Sequence, residues 1–313
     1  MKIAILGSNS HIAKGLIWNF LEKTDHILYL FTRNSDKVMD FLKTNGLSSC
    51  NVIIQEGYQN FPDHNYDSII NCVGAGTPKN LGSNYSNWFM ITEKFDNLII
   101  EYLLENQDAC YINFSRGAIY GKDLAEPAEE NSVSRICVNH VSPEDYYSIA
   151  RLNSEAKHRS FSGLNIVDLR IFSYFSRFID LSSGYLITEI LNCILDKKIF
   201  ETNNKNIIRD YVHPEDLFSL VMKCIGENKV NSAFDAISAK PADKFAMLDF
   251  FSAKYDLKYE IRDNMSLYSP NGSKNVYCSK YNKAAEIGYR PVFSSMDAIE
   301  QESAHILKEV GIV

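Results

Sequence analysis

The sequence predicts an α/β chain built on a doubly wound parallel sheet, and three observations carry that prediction. Short apolar runs of strand length alternate with longer stretches of helical periodicity through the first 172 residues. The first run, Lys2 to Leu6, ends at Gly7 and passes directly into SNSHIAKGLIWNFLEK, which reads as a strand, a tight turn and a helix. At 313 residues and 45% hydrophobic content, the chain can bury one large core, or a core and a cap.

The elements follow in order. In the first turn, small residues at Gly7, Ser10 and Ala13 permit the close backbone approach of a dinucleotide fingerprint, with a pyrophosphate facing the helix N-terminus. His26 to Phe31 is a second strand, ending in Thr32-Arg33-Asn34. An acidic residue there would accept from the 2′-hydroxyl of NAD; a hydroxyl and a guanidinium suit the 2′-phosphate of NADP instead. Val52 to Gln55 is a third strand and Asp67 to Gly74 a fourth, with Gly74, Ala75 and Gly76 small enough to admit a cofactor ribose. Trp88 to Asn106 is a long helix, and Ala109 to Phe114 a fifth strand running into Ser115-Arg116-Gly117-Ala118-Ile119-Tyr120-Gly121.

Ser142 to Phe161 is the central helix. Ser142 caps it, Pro143 suits its first position, and Glu144 and Asp145 favour its positive end. Tyr147 and Arg151 lie four apart, so one face presents a phenol and a fixed cation, and Glu155 continues that face. A neighbouring cation lowers a phenol from about 10 towards working pH, which suits a general acid or base. Alone, the pair also fits an ordinary helix surface. Leu164 to Phe172 is a sixth strand, residues 182 to 195 an amphipathic helix, Pro214 to Gly226 another, and Met296 to Glu309 the last.

Tyr147-Ser-Ile-Ala-Arg151-Leu-Asn-Ser-Glu155 resembles the Tyr-x-x-x-Lys-x-x-x-Glu helix of the extended short-chain dehydrogenases/reductases, which are NAD(P)-dependent epimerases, dehydratases and ketoreductases of nucleotide sugars. Arg209-Asp210-Tyr211-Val212-His213-Pro-Glu-Asp216-Leu217 is similar to that family's Arg-Asp-Tyr-Val-His-x-x-Asp-Leu segment. Ser279-Lys280 through Gly288-Tyr289-Arg290-Pro291 resembles its closing motif. The resemblance spans essentially the whole chain. It implies a Rossmann-type domain of residues 1–175 and 207–231, interleaved with a smaller α/β substrate-binding lobe of residues 176–206 and 232–313.

It also implies roles. Gly7, Ser10, His11, Ile12, Thr32, Arg33, Asn34, Cys72, Val73, Gly74, Tyr147 and Arg151 would hold the cofactor. Tyr147 would transfer the proton, Arg151 would stand in for the family's Lys, and Arg116 or Ser115 would polarise the reacting carbonyl. Ser173, Arg209 and Lys274 would meet the substrate, Arg209 at its diphosphate; His213 and Asp216 would be structural. The family's second catalytic hydroxyl is Arg116 here, its substrate-contacting Asn is Ser173, and its dehydratases' Asp-Glu pair is Gly117 and Ala118.

Composition sets bounds. A net charge of −7 argues against a nucleic-acid surface. Seven cysteines without a Cys-x-x-Cys pair, and histidines scattered away from them, predict reduced thiols and no zinc site. The amino terminus enters a strand at once and no apolar run approaches about 20 residues, so a cytoplasmic chain without a membrane span is expected. The expected activity is NADPH-dependent reduction of a nucleotide-linked 4-keto-6-deoxy sugar, by a homodimer. Its rivals are an NAD-dependent epimerase or dehydratase, and a nucleotide-binding relative without turnover.

Overall fold

In the computed structural model, residues 1–74, 84–122, 124–227, 229–262 and 274–311 are described; Ala75 and Gly76 lie outside them. Seven strands form one parallel sheet. They are β1 (Lys2–Leu6), β2 (Ile27–Thr32), β3 (Val52–Glu56), β4 (Ser68–Asn71), β5 (Cys110–Arg116), β6 (Ile166–Ile171) and, at the edge, Asn231–Ala236. The order runs β3-β2-β1-β4-β5-β6 and then Asn231–Ala236, so the winding reverses between β1 and β4. A crevice opens at such a reversal, beyond the carboxyl ends of the strands.

The strands are near-continuous apolar runs because both faces of the sheet are covered. On β1, Ile3 and Ile5 join one core with Leu16, Ile17 and Phe20, while Ala4 and Leu6 join the opposite core with Phe95, Ile99 and Leu103. The helices concerned are α1 (His11–Lys23) and α3 (Ser86–Glu105); α2 (Ser35–Thr44) lies between them in the chain. Gly7 is required: its φ is +76°, and a Cβ there would stand 2.9 Å from the carbonyl of Cys72. That close approach locks the first turn onto the end of β4.

The edge strand corrects one sequence expectation. The sequence places residues 232–236 in the smaller lobe, yet Asn231–Ala236 pairs in parallel with β6 along its whole length. Its inward residues Phe234 and Ala236 are buried in the sheet's own core, which is the physical reason it stays there. Beyond it lies a separate apolar core, drawn from Phe175, Ile190, Leu191, Phe200, Met247, Phe251 and Ile299. It is framed by helices Leu186–Leu195, Lys244–Tyr255 and Ser295–Glu309 and by short strand pairs. The helix expected from residue 182 starts later, at Leu186, because Leu181–Ser183 is a separate 3-10 turn and Gly184 adopts the left-handed region. No helix among the described residues is long and apolar enough to cross a membrane.

The central helix, α4 (Pro143–Ser160), buries polar groups where most helices bury apolar ones. Ser148, Arg151, Ser154, Glu155 and His158 are all under 9% exposed. Buried polar groups need partners, and Ser148, Ser154, Glu155 and His158 have them. His158 Nε2 lies 2.6 Å from Asp96 on α3, and its Nδ1 lies 2.9 Å from Asp168 on β6. A ring bonded to a carboxylate on each side carries both protons. Burial alone would lower its pKa, but the bonds and charges of Asp168 and Asp96 raise it from 6.5 to about 9.

A raised His contributes stability that is complete below its unfolded pKa and lost as pH rises through the folded one. Wild-type protein should therefore lose on the order of 3 kcal/mol between pH 6.5 and about 9.5 from this site. His158→Gln should be less stable at pH 6.5 and nearly flat over that window. Urea melts at stepped pH would settle it; an unchanged alkaline slope in the variant would assign the loss to other groups.

Candidate active site

A cavity of about 480 Å3 lies at the carboxyl ends of β1, β4, β5 and β6. It gathers Ser10, His11 and Ile12 from the first turn of α1, and Cys72, Val73 and Gly74 from the end of β4. Ser115, Arg116, Tyr147, Arg151, Ser173 and Arg209 border it as well. Most of the residues singled out by sequence thus meet in one place, although they are up to 199 positions apart.

Tyr147 stands in the second turn of α4. The helix starts where it does because Ser142 and Asp145 form a capping box, with Pro143 next to the cap. Arg151 sits one turn on, its guanidinium carbon 5.5 Å from the phenol ring centroid. Its Nη1 donates to the Phe114 carbonyl at 3.3 Å, and its buried Nε has no partner among the described residues. Arg116 borders the same cavity as Tyr147 and Tyr185 and acts on both phenols chiefly through its charge. Burial would push the Tyr147 phenol up, but Arg116 and Arg151, by charge and by hydrogen bond, bring it below its ordinary value. The Tyr147 phenolate form, in turn, is the main reason Arg116 is held above the usual guanidinium range.

Strand alternation separates Ser115 from its neighbour. Ser115 is 1% exposed and donates to Glu155 Oε1 at 2.5 Å. Its hydroxyl is engaged there, and Arg116 is the residue whose head reaches the tyrosines. Glu155, one turn beyond Arg151, is buried rather than presented with the phenol: it accepts both Ser115 and a fork from Arg170 on β6 at 2.7 and 3.0 Å. Arg170 also donates to Tyr120 at 2.9 Å and reaches Asp235 at 3.4 Å. This ion network ties α4, β5, β6 and the edge strand together beneath the phenol.

The cofactor residues divide into two groups. His11 is neutral: burial lowers it to about 3, and its Nε2 lies 2.7 Å from Ser176 Oγ. At the end of β2, Thr32 is buried, accepting Asn9 Nδ2 at 2.5 Å and the Asn34 amide at 3.1 Å. Asn34 caps α2 by accepting from Lys37. Arg33 is exposed, and the register partner of Thr32 is Glu56, an exposed carboxylate bonded by Ser35.

On the substrate side, Ser173 is buried with its hydroxyl unpartnered among the described residues. Arg209 is 3% exposed and donates to the carbonyls of Ile208 and Lys274, both at 2.9 Å. Lys274 does not border the cavity; its ammonium sits 4.7 Å from the Tyr277 ring centroid, and its carbonyl positions Arg209. His213 caps the helix Pro214–Gly226 and Asp216 accepts the amides of Val292 and Phe293, the structural roles expected of them. Sequence reasoning missed Tyr185, Tyr211 and Tyr277. Tyr185 and Tyr211 line the cavity, and Tyr185 and Tyr277 flank Arg116. Single aromatics in loops and two-residue strands carry no periodic signal.

The model of the NAD dependent epimerase/dehydratase family matches residues 3–236. Among solved structures, UDP-glucose 4-epimerase of Thermotoga maritima with UDP-glucose superposes with a TM-score of 0.79 at 15% identity, covering 99% of this chain and 100% of that one. A UDP-N-acetylglucosamine 4-epimerase of Methanobrevibacter ruminantium, in complex with UDP-N-acetylmuramic acid, reaches 0.80 at 15% identity, covering 98% of each chain. UDP-glucuronic acid 4-epimerase of Bacillus cereus, in complex with UDP-glucuronic acid and NAD, reaches 0.77 at 16% identity over 99% of this chain and 100% of that one. No curated protein sequence matches significantly.

Removing Arg170 would leave Glu155 and Asp235 as buried carboxylates without their shared cation. Arg170→Met should cost about 3–5 kcal/mol of stability, read as a lowered urea midpoint. A loss below about 1 kcal/mol, the range of exposed pairs, would mean the network is not what holds these elements together.

Proposed function

Because this chain belongs to the NAD-dependent epimerase/dehydratase family, we propose that it exchanges a hydride between a nicotinamide dinucleotide and C4 of a nucleotide-linked sugar, with Tyr147 moving the proton at the sugar oxygen. The observation that carries this reading is the Tyr147 phenol, bordering the cavity between two guanidinium groups and lowered despite its burial. The residues present fit the cofactor. First-turn amides of a helix have no intrahelical acceptor, so those of His11 and Ile12 in the cavity wall offer donors for a pyrophosphate. The unpartnered Nε of Arg151 offers a donor to a ribose hydroxyl. When bound, the nicotinamide supplies the hydride acceptor or donor.

The chain's own part is proton transfer and positioning. Tyr147, as phenolate, takes the proton from the sugar hydroxyl while the C–H bond breaks, and as phenol returns it when the ketone is reduced. Arg116 and Arg151 stabilise the phenolate, which favours the base form. Arg209, oriented by backbone carbonyls, holds the diphosphate. The sheet domain, residues 1–175 and 207–236, binds the cofactor, and the second core carries the nucleotide. Helices α3 and α4, which expose Met90 and Leu152, pair in a homodimer in the cytoplasm.

Epimerisation, in which the sugar is oxidised at C4 and reduced again within one turnover so that the cofactor is left unchanged, calls for a phenol that can first act as a base, and Tyr147 is biased that way. A second reading, reduction of a 4-keto-6-deoxy sugar by NADPH, is favoured by the exposed Arg33 and the lack of an acid at the end of β2. Glu56 brings a carboxylate to the same corner and favours NAD.

Incubation with NAD and UDP-sugars, followed by NMR of the sugar H4, should reveal inversion at C4. NADPH consumption with 4-keto-6-deoxy sugars, and no inversion, would select the second reading. Tyr147→Phe should lower either activity by about 10²–10⁴-fold while leaving the protein folded; undiminished turnover would defeat the mechanism. Arg151→Met removes a cation that lowers the phenol, so the rise of rate with pH should move to higher pH. A profile unmoved by that change would show that Arg151 does not tune Tyr147.

A further inference from the structure

The cavity contains three guanidinium groups, of Arg116, Arg151 and Arg209, and none forms an ion pair with a carboxylate among the described residues. Elsewhere in the chain Arg159, Arg170, Arg177 and Arg262 each hold one. The acids bordering the cavity are Asp180, which accepts the amide and hydroxyl of Ser182, and Glu189, which is exposed. The groups that hold Arg116 in its charged form are phenols, those of Tyr147, Tyr185 and Tyr277. Even with Tyr147 in the phenolate form that the proposed mechanism uses, one cation is offset and two are left.

A desolvated cation without a counter-charge is unfavourable, so the remaining charge calls for anions on the ligands. On the function proposed above, Arg209 meets the nucleotide diphosphate and Arg151 serves the ribose and the phenolate. Arg116 is left. It lines the same cavity as the catalytic phenol and is close enough for its charge to lower that phenol, so what it binds there lies near the reacting carbon. A neutral sugar oxygen needs only one donor there. A guanidinium presents a planar fork, matched to a carboxylate.

We propose that Arg116 determines specificity by binding a carboxylate carried next to the reacting carbon, so that the substrate is a nucleotide-linked acidic sugar of the hexuronic acid class. In such a sugar the carboxylate hangs on C5, the ring carbon bonded to C4, so its carbon lies two bonds from the centre served by Tyr147. Tyr185 lines the cavity with Arg116 and helps to keep it charged. A 4-keto-6-deoxy sugar would instead set a methyl group against the guanidinium, an unfavourable pairing, so this inference also separates the two readings of the reaction.

The test rests on matched ligands that differ only in the carboxylate. Calorimetric titration of the NAD-saturated protein would compare UDP-glucuronic acid with UDP-glucose, and glucuronic acid 1-phosphate with glucose 1-phosphate, which removes the nucleobase from the question. Wild-type protein should bind the acidic member of each pair about tenfold more tightly, and Arg116→Gln should bind both members equally. The wild-type comparison stands even if the variant fails to fold. Equal binding of neutral and acidic members by wild type would overturn the role of Arg116 and leave the nucleotide-sugar reading intact. Failure of folded protein to bind any of the four would overturn both. A preference retained by a folded Arg116→Gln would place the carboxylate on another group.

Discussion

The buried polar face of α4 is the constraint on which the site depends. Glu155 is held by Arg170 and Ser115, and His158 is clamped between Asp96 and Asp168. Each bond is directional, so the helix has one rotation and one depth against β5, β6 and α3. An apolar face could settle into the same groove in several neighbouring rotations at little cost. Here a small rotation would strand buried charges, which is far more unfavourable. Tyr147 and Arg151 inherit their positions from that register.

The same network shapes the electrostatics above it. Because Glu155 is bound from below by Arg170, it does not reach up to neutralise Arg151 or Arg116. The cavity therefore keeps its positive charge, with backbone carbonyls and phenols rather than carboxylates around its guanidinium groups. Low surrounding polarizability makes those charges act strongly on Tyr147. One layer of fully paired ions thus underlies a second layer that is left unpaired and open to ligand.

Some of this was legible in the chain. The alternation of apolar runs, Gly7 after the first strand, and Pro143 and Pro214 at helix starts are local signals, and the elements they mark formed within a few residues of expectation. Tyr147 and Arg151 share a face because helical spacing is a local property. Glu155, by the same spacing, was expected beside them and is instead drawn into the core by Arg170, a partner on a different strand. Thr32 offers its hydroxyl in sequence, yet in the fold Asn9 and Asn34 occupy it. The strand Asn231–Ala236 joined the main sheet because Phe234 and Ala236 find their core there, a choice that depends on β6 being present to pair with it.

The sequence by itself determined the class of fold, the place of the first βα turn, the central helix and the residue types at its working face. These follow from periodicity, capping and backbone sterics, which act over a few residues. Tertiary structure alone decided which charges are neutralised. Whether Arg170 pairs with Glu155, whether Arg116 looks into the cavity, and which tyrosines surround it are set by contacts between segments far apart in the chain. Charge pairing depends on distance and burial, and neither is written in residue order.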